Sequence, residues 1–140
     1  MSEGETRAGR FAGTALDRLP VRGALAAVAA VAGNVALLVA ANAIGVAPGF
    51  RPLAVPPVAF LSVAGVVGAT VVYWFLRRRS SKPARTFRRV AGGVLVVSFL
   101  PDVALLFVDE AATVAGVVVL MAMHVVVAAA CVALLPGEPR

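Results

Sequence analysis

The sequence predicts an all-α fold: an integral membrane bundle of four transmembrane helices, N-in and C-in. Three observations predict it. Apolar residues make up 61% of the 140 positions and charged residues 14%, with a mean hydropathy of +0.95, whereas a soluble domain is about 45–50% apolar and about 25% charged. A chain this short forms one domain, and a soluble one would have too little interior for 29 Ala and 27 Val. Four stretches also reach the roughly 20 apolar residues that a helix needs to cross a hydrocarbon core of about 30 Å. Finally, the basic residues fall on alternate connections between those stretches.

Residues 1–20 are polar and contain several Gly, and they predict a flexible cytoplasmic tail. The four-helix domain covers residues 21–136, and 137–140 form a short C-terminal tail. The first span is 24–45 and carries no charge. Its apolar run exceeds the 7–15 residues of a signal-peptide core and follows a polar leader, so a retained helix is expected. The second span is 55–76, opened by Pro56-Pro57, which suit a first helical turn. The third is 90–108, with Asp102 as its single charge. The fourth is 112–135, stopped by Pro136-Gly137. The many Val do not argue for strands: open strands cannot satisfy their backbone in lipid, and a closed barrel would show polar–apolar alternation. Between spans one and two lies a connection stiffened by Pro48, Pro52, Pro56 and Pro57. The short connection around Asp109-Glu110 makes spans three and four an antiparallel hairpin. Ala26, Ala30, Gly33 and Ala36 or Ala40 in span one, Ala64, Gly65, Gly68 and Ala69 in span two, and Ala91-Gly92-Gly93 in span three offer close helix approach.

The net charge of +6 and pI near 11.3 could mark a nucleic-acid binder, but the placement of the charges argues otherwise. Arg77, Arg78, Arg79, Lys82, Arg85, Arg88 and Arg89 lie between spans two and three, four more Arg precede span one, and Arg140 ends the chain. That is 12 basic residues on one side against Arg51 alone on the other. The positive-inside rule then places both termini and the middle connection in the cytoplasm, in the cell membrane. The cluster reads as a topology determinant that also meets anionic lipid head groups, and no nucleic-acid partner is expected. Tyr73 and Trp74, just before it, suit an interfacial aromatic belt.

One Cys, Cys131, excludes an intramolecular disulfide and a CxxC redox pair, and one His, His124, excludes a two-His metal site within the chain. No metal and no cofactor are expected. Polar residues within the bilayer are where a function would lie. They are Asn34, Asn42, Ser62, Thr70, Ser98, Asp102, His124 and Cys131. Asp102 follows Pro101, whose missing N–H loosens the helix. Its plain reading is a local cap or a link to Arg51, which can reach inward along its own stem. The functional reading is a proton or cation site. Counted from Asp109 and Ala111, Asp102 lies about 10 Å and His124 about 20 Å below the outer surface. A direct Asp102–His124 pair is therefore not expected without tilt or a bridging water. Asn34 lies at similar depth to His124 and is the expected partner, while Asn42 is placed to cap the end of span one.

Three elements carry a family resemblance: Phe50-Arg51-Pro52 through Pro56-Pro57, Ser98-Phe99-Leu100-Pro101-Asp102, and Met123-His124 followed by a Val/Ala run. Over about residues 22–135, the chain resembles a family of small four-helix membrane proteins of actinobacteria and salt-loving archaea, catalogued as a domain of unknown function. The resemblance implies a fold and a location but no activity. The embedded Glu of small multidrug transporters and the cysteines of thiol oxidoreductases and claudin-like proteins are missing.

Two functional classes follow. The first is a non-enzymatic accessory or structural membrane module, acting as a homo-oligomer or with a membrane-complex partner. The alternative is a small transporter or channel using Asp102 and His124 in a polar intramembrane path. An enzyme is not expected, because no nucleophile–base pair or metal set is visible.

Overall fold

The computed structural model describes residues 18–137. Of the expected tail over 1–20, residues 1–17 lie outside them, as do the last residues, 138–140, while Leu19 and Pro20 are already helical. Four helices follow in order: α1 (Leu19–Ala43), α2 (Val55–Arg79), α3 (Pro83–Val108) and α4 (Val114–Leu134). All four are long and apolar enough to cross a membrane, and no strand occurs among the described residues. At 1.5 Å per residue, even α4 reaches about 30 Å, the thickness of the hydrocarbon core.

The starts of the helices are local chemistry. α1, α2 and α3 each have Pro in the first two positions, where the missing N–H costs nothing and the fixed φ suits the helix. α4 instead uses Thr113, whose hydroxyl oxygen accepts from the Gly116 N–H at 2.9 Å, a side-chain N-cap. Asp109 Oδ1 accepts from the Ala111 N–H at 2.9 Å and tightens the turn between α3 and α4.

The basic segment differs from its expected form. It is helix almost throughout: Arg77, Arg78 and Arg79 form the last turn of α2, and Arg85, Arg88 and Arg89 belong to the first turns of α3. Only Ser80, Ser81 and Lys82 remain as a connection, and all seven basic residues are exposed. Arg78 lies 4.0 Å from the centre of the Trp74 ring and Arg79 5.2 Å from that of Phe75, cation–π contacts that hold the guanidinium groups at the helix end.

α1 packs between α2 and α4, and α3 touches α4 and α2 but not α1. One buried stripe of α1 (Ala26, Ala30, Asn34, Leu38, Ala41) faces the other helices, while Ala36 and Ala40 point outward. Small residues do allow close approach at several points: a Cβ on Gly33 would stand 2.9 Å from Val126, and one on Gly65 would stand 3.2 Å from Val127. Gly68, Gly92 and Gly93 face open space, so the Ala91-Gly92-Gly93 run does not serve packing within the chain.

The core has two halves. One lies toward the α2–α3 turn and includes Leu19, Ala26, Val66, Tyr73, Phe87, Cys131 and Leu135. The other lies toward the opposite end and includes Leu38, Val58, Leu120 and Met123 together with Ala47, Phe50 and Leu53. Those last three come from the proline-rich connection, which is therefore a packed plug. Left-handed Gly45 (φ 65°) and Gly49 (φ 78°) turn it back onto the bundle, and the Thr113 hydroxyl donates to the Val46 carbonyl at 3.1 Å. Outside this core the molecule is coated with exposed apolar side chains, such as Phe60, Leu61, Leu100 and Phe107, the inverse of a soluble surface and suited to lipid.

Candidate functional site

α3 is the helix that builds the site. Along its whole length it buries two residues, Phe87 and Asp102. Phe87 meets Tyr73 of α2 edge to face, with ring centroids 5.2 Å apart. Tyr73 therefore faces the bundle and is buried, and Trp74 is the exposed member of that pair. Between the two anchors of α3, a cavity of about 690 Å³ separates α3 from α2, with α4 as its floor. Its walls include the exposed Leu61 and Val94, so it opens sideways between α2 and α3.

Asp102 meets His124. The carboxylate Oδ2 lies 2.9 Å from His124 Nδ1. This overturns the depth argument against a direct pair. Counted from the helix ends, Asp102 is six residues below Val108 and His124 ten below Val114, a difference of about 6 Å in depth. Cα–Cβ bonds tilt toward a helix N-terminus. In this antiparallel pair Asp102 therefore leans away from the α3–α4 turn and His124 toward it, and the two side chains reach each other.

His124 Nδ1 is also 2.9 Å from the Leu120 carbonyl. A carbonyl only accepts, so Nδ1 carries a proton. That proton is directed to Leu120, and Asp102 Oδ2, though 2.9 Å from the same nitrogen, has no aligned hydrogen-bond donor. The Arg51 link to Asp102 is not formed: Arg51 is exposed on the plug, and Asp102 is buried on the face of α3 toward α4.

Asn34 does not partner His124. Its amide Nδ2 donates to Ser62 Oγ at 2.8 Å, and the Ser62 hydroxyl donates to the Val58 carbonyl at 2.7 Å. The reason is packing: α1 lies against α2 through the stripe that holds Asn34. Asn34 Oδ1 is left buried without a donor. Asn42 is exposed, and the end of α1 is closed by backbone bonds from Ile44 and Gly45 rather than by its side chain.

A family model described as a family of unknown function (DUF6069) matches residues 14–140. The chain belongs to DUF6069. No curated protein and no solved structure matches it. In this DUF6069 chain, then, four polar side chains, one from each helix, line a single cavity: Asn34, Ser62, Asp102 and His124. Ser98 and Cys131 add to its polar lining, and among the described residues no Lys or Arg contributes to it. Pro101 precedes Asp102 within α3 and cannot donate to the Val97 carbonyl. Among the described residues of the DUF6069 chain, no group of three His, Cys, Asp or Glu converges as metal ligands would. Of the site, sequence reasoning singled out Asp102, His124 and Asn34. Ser62 stood among the embedded polar residues, but its role depends on which face of α2 meets α1, and a span with Val and Ala on every side does not announce that face.

Proposed function

We propose that this chain is a non-enzymatic membrane module that takes a lipophilic small molecule from the bilayer into the cavity between α2 and α3. The observation that carries the reading is the Asp102–His124 pair on the wall of a sideways-open cavity of about 690 Å³. An embedded carboxylate is costly in lipid and is retained where it serves a ligand or a path. The volume falls within the roughly 300–1,000 Å³ of small-molecule sites, and apolar walls with a few converging polar groups are the usual pattern.

We further propose that both termini and the α2–α3 turn face the cytoplasm. The exposed collar of Arg77, Arg78, Arg79, Lys82, Arg85, Arg88 and Arg89 then meets anionic head groups. In support, α3 opens with basic residues and no acidic one in its first turn, an arrangement its own dipole disfavours. Dipole preference therefore does not place Arg85 there, whereas it does favour Arg77, Arg78 and Arg79 in the last turn of α2.

A membrane-soluble alkyl diazirine tests the cavity reading. In lipid nanodiscs it should label cavity-lining residues such as Ser98, Met123 and Cys131 at a saturable level. Gly68→Leu fills the cavity where a Cβ meets nothing within 4 Å and should suppress that labelling. Uniform labelling around the bundle, unchanged by the substitution, would contradict the reading. A second reading, transport, is favoured by the four polar side chains that line one cavity. Its mark is proton or cation flux in liposomes that Asp102→Asn abolishes.

A further inference from the structure

Resting on the cavity reading above, we infer that the ligand class is a long-chain amine: an apolar tail with a protonated amino head group. The cavity asks for hydrogen-bond donors and for positive charge. Asn34 Oδ1 is a buried acceptor oxygen without a donor among the described residues, and Asp102 Oδ2 lies beside a His124 Nδ1–H that is already directed to the Leu120 carbonyl; the two residues are only 2% and 6% exposed. Buried acceptors left unmatched are costly, and a ligand that satisfies them recovers that cost. Among the described residues no Lys or Arg lines the cavity, so a phosphate or carboxylate head group would meet the Asp102 carboxylate with no permanent cation beside it to offset the repulsion. An ammonium group carries three donors and no acceptor. In the cavity that Asn34 and Asp102 both line, it offers charge to the carboxylate and donors to the acceptors, while the apolar walls between α2 and α3 take the chain. A neutral alcohol offers one donor and no charge.

The test uses the full chain in phosphatidylcholine nanodiscs with ¹⁵N-labelled histidine. The sequence has a single His, so the imidazole signal reports on this site alone. Dodecylamine, dodecanol and dodecanoate are titrated, with binding read by calorimetry and by the His124 ¹⁵N shifts. Dodecylamine is expected to bind saturably and shift His124, with dodecanol about tenfold weaker, the scale of a lost charge-assisted hydrogen bond. Dodecanoate should give no saturable binding. Asp102→Asn keeps the shape of the side chain and should weaken the amine about tenfold. Gly68→Leu leaves every polar group in place and should weaken amine and alcohol alike. If dodecanol binds as tightly as dodecylamine, or Asp102→Asn binds the amine unchanged, the amine class is overturned while the cavity reading stands. If no probe shifts His124 and Gly68→Leu changes nothing, both fall together.

Discussion

Phe87 and Asp102 are the two buried residues of α3, and each is held by a different helix: Phe87 by Tyr73 of α2 and Asp102 by His124 of α4. They lie fifteen positions apart, about 22 Å along the axis. α3 is thus fixed near its two ends, and the cavity occupies the interval between its anchors.

The first anchor should be measurable as a pair. An edge-to-face aromatic contact contributes about 0.5–1.5 kcal/mol beyond area burial. A double-mutant cycle of Tyr73→Leu and Phe87→Leu, read by reversible unfolding in mixed micelles, should return a coupling in that range. Additive single effects would show that the rings do not hold α3.

The second anchor should behave likewise. Interhelical polar pairs in membrane proteins couple by about 0.6 kcal/mol on average and up to about 1.7 kcal/mol. A cycle of Asp102→Asn and His124→Phe should give a favourable coupling within those bounds. A value near zero would mean that the two groups do not interact in the bilayer.

These anchors also show how far the sequence could be read. The four spans were legible because their signal is additive over about 20 residues and independent of partners. Helix α3 exceeded its expected start by seven residues, since arginines make good helix once Pro83 supplies a first turn. The Asp102–His124 pair was not legible. Depth counted along the chain ignores the tilt of side chains toward helix N-termini, and in an antiparallel pair that tilt closes the gap from both sides. The Asn34–Ser62 bond depends on helix rotation, which spans this uniformly apolar do not encode in their periodicity. The packed plug was missed for a related reason: Phe50 and Leu53 are buried against the bundle by Gly45 and Gly49, whose positive φ is invisible until the turn is seen.

The plug gives a prediction of its own. A Cβ on Gly116 would stand 2.9 Å from Ala47 Cβ and 3.3 Å from the Phe50 ring. Ala47 cannot yield without moving the backbone, so Gly116→Ala should destabilise by about 1–3 kcal/mol, the scale of overpacking. Gly92→Ala meets nothing within 4 Å and removes a flexible residue from a helix, so it should be neutral or stabilising by up to about 1 kcal/mol. Denaturation midpoints of the two variants decide the matter. Equal effects would contradict the packed plug.

Orientation is open to an independent check. Reporter tags at residue 1 and between Ser80 and Lys82 should both be cytoplasmic, and one after Glu110 should be external. Replacing Arg77, Arg78, Arg79, Arg85, Arg88 and Arg89 with Gln should weaken or invert that preference. An external reporter at residue 1 in the unaltered chain would refute the charge argument.

The central claim is that Asp102 and His124 form one intramembrane pair beside the cavity. Solid-state NMR of the chain in lipid bilayers, with ¹⁵N-histidine and ¹³C-aspartate, measures it directly through dipolar dephasing between the imidazole and a carboxyl carbon. A 2.9 Å contact between Nδ1 and Oδ2 requires strong dephasing at Nδ1, its loss in Asp102→Asn, and a proton on Nδ1. An imidazole with no carboxyl carbon in range, or one protonated on Nε2 alone, would contradict the account.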